Sequence, residues 1–88
     1  MKTIVFQPTK KQIDETASWP LWEKEESEFP WSYDQKETCY VLEGKAEVRE
    51  ENGEVAHFGA GDMVIFPKGL ACTWKIIHAI KKRYYFGE

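Results

Sequence analysis

Glu37-Thr38-Cys39-Tyr40-Val41-Leu42-Glu43-Gly44 decides the fold of this 88-residue chain. As a strand it places Glu37, Cys39, Val41 and Glu43 on one face and Thr38, Tyr40 and Leu42 on the other. Cys39 and Val41 are compact and tolerate apolar surroundings, which assigns their face to the inside of a narrow barrel. Glu37 shares that face. A carboxylate there has to be hydrogen-bonded or paired. Tyr33 is its expected donor, with Lys75 and Arg83 as alternatives. Tyr40 and Leu42 then face a packing or dimer surface.

Downstream, Gly61 is followed after five residues by Pro67, then by Gly69 and Cys72. Between the two stretches, Asn52-Gly53 tolerates positive φ and predicts a two-residue type I′ turn joining strands 45–50 and 54–58. Gly59-Ala60-Gly61-Asp62 is a second tight turn. Met63 to Phe66 is a continuous apolar strand, expected to be buried on both faces. Strands Cys72 to Ile77 and Ile80 to Phe86 follow, joined by His78-Ala79.

Upstream, Thr3 to Phe6 suits an edge strand that Pro8 ends. Thr9 and Gln12 have capping-box spacing for one short helix over 10–17, with Ile13 and Ala17 as its apolar stripe. Pro20 stops it. Residues 21–29 carry Glu23, Lys24, Glu25, Glu26 and Glu28 on a solvated face anchored by Trp22 and Phe29. Pro30 restricts 29–33 to an edge or irregular strand, and Asp34-Gln35-Lys36 turns the chain. Short strands at regular spacing mean an all-β sandwich or barrel. The division is one domain, 1–88, with an N-terminal strand and helix in 1–18 and a barrel in 19–88.

Composition narrows the function. Twelve basic and fifteen acidic residues give a net charge of −3, without the basic footprint of a nucleic-acid or anionic-membrane binder. No apolar run approaches the roughly 20 residues needed to span a bilayer. The N-terminus turns polar at once, unlike a signal peptide. Two cysteines in that context point to a cytoplasmic protein with free thiols. Its modest size makes a homodimer the expected assembly.

The punctuation at 37–44 and 61–72 resembles the cupin superfamily, whose motifs read G-x5-H-x-H-x3,4-E-x6-G and G-x5-P-x-G-x2-H-x3-N. Glu37-x6-Gly44 matches the end of the first, and Gly61-x5-Pro67-x-Gly69 the start of the second. The wording of Trp22 through Asp34, of Glu37-Thr38-Cys39-Tyr40 and of Phe66 through Trp74 is similar to a small single-domain group. That group is related to the ureidoglycine aminohydrolase and ethanolamine-utilisation cupins. The resemblance covers residues 19–86. It implies a single jelly-roll (RmlC-like) β-barrel of about nine or ten strands with one short N-terminal helix.

The metal-binding cupin pattern is broken here. The histidine positions of the first motif fall on Trp31 and Tyr33, or on Pro30 and Ser32 in the other spacing. That of the second falls on Cys72, its Asn position on Ile76, and the leading Gly of the first on Glu25. Of the four ligands only Glu37 survives, with Cys72 as the one substitute should a divalent metal bind. The expected site is therefore metal-free, without cofactor. It is a small-molecule pocket built from Trp31, Tyr33, Glu37, Cys39, Cys72 and Trp74. The resemblance also implies an alternative, a metal-dependent enzyme acting on a ureido- or amino-acid-like compound. Cys39 and Cys72 read as inert core thiols, since no histidine is placed to activate either. Tyr84 and Phe86 add aromatic surface. The run Lys81-Lys82-Arg83 reads as a solvated, edge-protecting segment.

Overall fold

Two long strands carry this fold, and each bends once. The computed structural model describes residues 2–87. Strand β4, Glu37–Glu50, and strand β7, Ala71–Phe86, pair antiparallel along their whole length. On the outer edge of β7 lie β2, Leu21–Lys24, and β3, Ser27–Ser32, both antiparallel to it. On the outer edge of β4 lie β5, Val55–Gly59, and β6, Met63–Phe66. A three-residue edge strand β1, Ile4–Phe6, adds to β6. Helix α1, Lys10–Glu15, and a 3-10 turn, Thr16–Ser18, link β1 to β2.

The pairing of β4 with β7 shifts register between Val41 and Ala46. The shift changes which residues are inside. Glu37, Cys39 and Val41 are buried before it, and Ala46, Val48 and Glu50 after it. Such bulges bend a strand sharply. Phe66 lies opposite Glu37 and Trp74 opposite Val48, and on a straight strand Glu37 and Val48 would be about 35 Å apart. The Phe66 and Trp74 rings are instead 5.5 Å apart. The sheet has folded over on itself. One layer holds β1, β6, β2 and the adjoining ends of β4 and β7, and the other holds β5, β3 and their opposite ends. Phe58, Phe66 and Trp74 fill the space between, with Val41, Val48, Val64 and Ile80.

The described residues are thus mostly β, with seven strands in one sheet. No strand pairing closes that sheet among the described residues, since β1 bonds only to β6 while β2 and β3 bond only to β7. Fewer strands form than the nine or ten expected because two breaks in the sequence are bends. Gly44 does not end a strand, and His78-Ala79 does not connect two. Lys45 pairs with His78, so both positions sit at the same crease.

The Asn52-Gly53 turn differs in type from the expected one. Only Gly53 adopts positive φ, +90°, and Asn52 does not. The Gly53 amide donates to Glu50 O at 2.9 Å, and the Glu50 amide to Glu54 O at 2.8 Å. This is a three-residue loop closing on a left-handed glycine, the next commonest hairpin. Asn52 Oδ1 accepts from the Glu54 amide instead. Nothing lies within 4 Å of a Cβ built on Gly53, so a side chain there meets only backbone strain. Gly53→Val is expected to lower stability by about 1 kcal/mol in urea denaturation. An unchanged midpoint would mean that the loop adopts another turn.

The Thr9–Gln12 capping box forms with both of its bonds, and the helix ends at Glu15, two residues short of the expected Ala17, where the chain tightens into the 3-10 turn. Thr16, the first residue of that turn, is buried and its hydroxyl donates to Ile13 O, while Ala17 is exposed.

Candidate functional site

Period-2 alternation on two strands builds the site. Along β3, Phe29 and Trp31 share a face, and Tyr33 continues it one residue past the strand end. Tyr33 is held there by its backbone, which donates to Leu70 O at 2.8 Å and accepts from the Gly69 amide at 2.7 Å. Along β7, Trp74, Ile80 and Lys82 point between the layers and are all buried. Glu37 enters from the first position of β4.

Phe29, Trp31, Tyr33, Glu37, Trp74 and Lys82 line an open cavity of about 580 Å³. Trp22, Phe29, Trp31, Tyr33, Trp74 and Phe86 give it aromatic walls. Trp31 and Phe86, 49% and 42% exposed, stand at its mouth. Phe29 stacks on Trp74 with centroids 6.2 Å apart and rings nearly parallel.

At its floor lies an ion pair. Lys82 Nζ donates to Glu37 Oε2 at 2.6 Å, with both side chains almost fully buried. The ammonium also sits 4.7 Å from the Trp74 ring centroid and 4.8 Å from that of Trp22. The π faces of the two indoles thus stabilise a charge that would otherwise lose its hydration. A third cation–π partner, Phe66, is 5.9 Å away. Lys24, on the cavity wall, lies over Phe29.

The carboxylate therefore has a different partner from the expected tyrosine. Tyr33 Oη accepts from Trp74 Nε1 at 3.1 Å. Burial first, and the Glu37 charge second, push the Tyr33 phenol far above its ordinary range. It stays neutral and braces the indole. Lys75 is exposed, and Arg83 reaches the Trp19 carbonyl at 2.8 Å. The run Lys81-Lys82-Arg83 is not uniformly solvated, because Lys82 falls in phase with Ile80 and Tyr84. That phase was the available signal in the sequence; three consecutive cations concealed it.

Of the six pocket residues expected from the sequence, Trp31, Tyr33, Glu37 and Trp74 line the cavity. Cys39 and Cys72 do not; both are buried free thiols. Burial pushes Cys39 up to about 12 and Cys72 up to about 11, the latter raised further by Glu50 and Glu37. Neither is a thiolate near neutrality. Cys72 Sγ instead turns toward Trp31 O, 3.6 Å away.

The sequence pattern of the EutQ-like cupin domain matches residues 11–84. The chain belongs to the EutQ-like cupin family. Comparison with curated proteins finds no match. Among solved structures, this EutQ-like cupin is similar to a DUF861 family protein from Thermotoga maritima. Their identity is 46% and the TM-score 0.94, over 97% of this chain and 99% of that one. It is also similar to a putative ethanolamine utilization protein Q from Salmonella typhimurium, at 25% identity and TM-score 0.71. That match covers 97% of this chain and 68% of the other. The EutQ protein of Clostridium difficile shares the fold at 21% identity and TM-score 0.71, over 76% of this chain and 52% of that one.

Trp31, Tyr33 and Cys72 stand where the metal-binding motifs carry histidine. The one retained ligand, Glu37, is engaged by the Lys82 ammonium. Among the described residues no three His, Cys, Asp or Glu side chains converge. No helix of the described residues is long and apolar enough to cross a membrane.

Proposed function

We infer that this protein is a small-molecule-binding cupin whose ligand is planar and carries one negative charge. The observation that carries this is the cavity of about 580 Å³, aromatic on its walls and charged at its floor. Pockets of this size and lining suit small ligands. Aromatic walls favour a flat ring by stacking. Lys82 and Lys24 on the lining outnumber Glu37, so a carboxylate is attracted and a second cation repelled. Among the described residues Glu37 Oε1 accepts no hydrogen bond from the protein, and Oε2 takes that of Lys82. Oε1 can therefore receive a ligand N–H or O–H.

Trp22, Trp31 and Trp74 line the cavity, so their fluorescence reports occupancy. Titration with planar monocarboxylates such as 4-methylbenzoate is expected to give saturable quenching. Trp31→Ala, at the exposed mouth, is expected to weaken binding by about tenfold, or 1.4 kcal/mol, while leaving the unfolding midpoint in place. Saturable binding with the same affinity in Trp31→Ala would place the ligand elsewhere, and no quenching across a panel of planar carboxylates would overturn the reading.

A further inference from the structure

Lys82 balances the charge of Glu37 and also lines the cavity. Its side chain lines a cavity large enough for a ligand, and its Nζ lies 2.6 Å from the Glu37 carboxylate, among aromatic rings. A lysine on a ligand-sized cavity, with a carboxylate at hydrogen-bond distance to carry its proton, has the two groups that imine formation with a carbonyl carbon needs. We propose that Lys82 captures a planar, anionic aldehyde in this cavity as an imine. The proposal rests on the reading of the cavity as a ligand site.

The chemistry closes on the residues present. Glu37 takes a proton from the Lys82 ammonium along their hydrogen bond. The free amine adds to the carbonyl carbon, giving a carbinolamine. Glu37 returns its proton to the departing hydroxyl, which leaves as water, and the C=N bond forms as an iminium. The balance is ammonium plus aldehyde to iminium plus water, with the carboxylate regenerated and no oxidant or reductant required. The product keeps the positive charge of the starting ammonium. The indoles of Trp22 and Trp74 and the Glu37 carboxylate that hold the ammonium therefore hold the iminium as well. A conjugated iminium is flat, as the stacked walls of Phe29 and Trp74 favour. Lys24 supplies a counter-charge for the ligand's own carboxylate.

The test uses 4-carboxybenzaldehyde with cyanoborohydride, which converts an imine into a permanent secondary amine. Sites are mapped by peptide mass spectrometry on the folded wild-type chain. Lys82 is expected to be modified at least ~10-fold faster than any other lysine, because the cavity holds the aldehyde against it. Glu37→Gln is expected to slow that modification by ~100-fold by removing the proton carrier. Binding of 4-methylbenzoate, which cannot form an imine, is measured in parallel by tryptophan fluorescence. Modification confined to surface lysines while 4-methylbenzoate binds would overturn the nucleophile and leave the binding site standing. Neither binding nor Lys82 modification would overturn both. Equal rates at Lys82 in wild type and Glu37→Gln would remove Glu37 from the step and overturn the mechanism.

Discussion

Lys82→Met is expected to lower the stability of this protein by about 3–5 kcal/mol, the usual scale for removing one partner of a buried ion pair. The methionine fills the volume of the lysine stem and keeps contact with Trp22 and Trp74, so little of the loss comes from packing. What remains is a Glu37 carboxylate only 3% exposed and facing aromatic rings with no counter-charge. Glu37→Gln is expected to lose less, about 1–3 kcal/mol, because the amide retains an acceptor and the rings still solvate the ammonium. Combining Lys82→Met with Glu37→Gln removes both charges, and the double variant is expected to recover much of the loss of Lys82→Met alone. Urea denaturation of the four proteins gives the coupling directly. Additive effects, with no recovery in the double variant, would show that the two groups do not share one buried site.

Gly44→Ala is expected to destabilise the fold by roughly 2–5 kcal/mol through left-handed backbone strain together with overpacking at the crease. Gly44 has φ +95°, and a Cβ there would lie 2.2 Å from Ala79 O and 2.7 Å from Ile80 Cα. Both neighbours are backbone atoms of β7, so no side chain can swing aside. Relief would require β4 and β7 to separate where they bend together, and that bend brings Phe66 onto Trp74. Gly53→Ala is the matched control. It has nearly the same φ, +90°, and nothing within 4 Å, so it carries the strain without the collision. A loss of several kcal/mol for Gly44→Ala beside about 1 kcal/mol for Gly53→Ala is the expected pattern. Equal losses would mean that the crease can open without penalty.

Local chemistry is legible in this sequence wherever one residue's preferences decide the outcome. The Thr9–Gln12 box starts the helix, Pro30 keeps β3 on an edge, and Gly53 turns the hairpin. Alternation from Glu37 to Val41 gives the buried face of β4 without reference to any other strand, because side-chain direction in a strand has period two whatever the partner. The same alternation places Trp31, Tyr33 and Trp74 on the faces that meet in the cavity. Two motif fragments carry the cupin resemblance, since they record the backbone turns and close approaches that this fold requires.

What the sequence left open depends on residues far apart in the chain. Gly44 reads as a strand end and His78-Ala79 as a connection, because a local pattern cannot distinguish a stop from a bend. The distinction was decided by the pairing of Lys45 with His78, which makes both positions one crease. The partner of Glu37 was decided in the same way. Val41 opposite Lys82 sets the register that brings β7 alongside β4, and the bend then closes Trp22 and Trp74 over the ammonium. In sequence Lys82 stands between two other cations and looks solvated. A charged side chain becomes a buried ion pair only when the fold supplies its carboxylate and its aromatic rings together, and those lie forty-five residues away for Glu37 and on a third strand for Trp22.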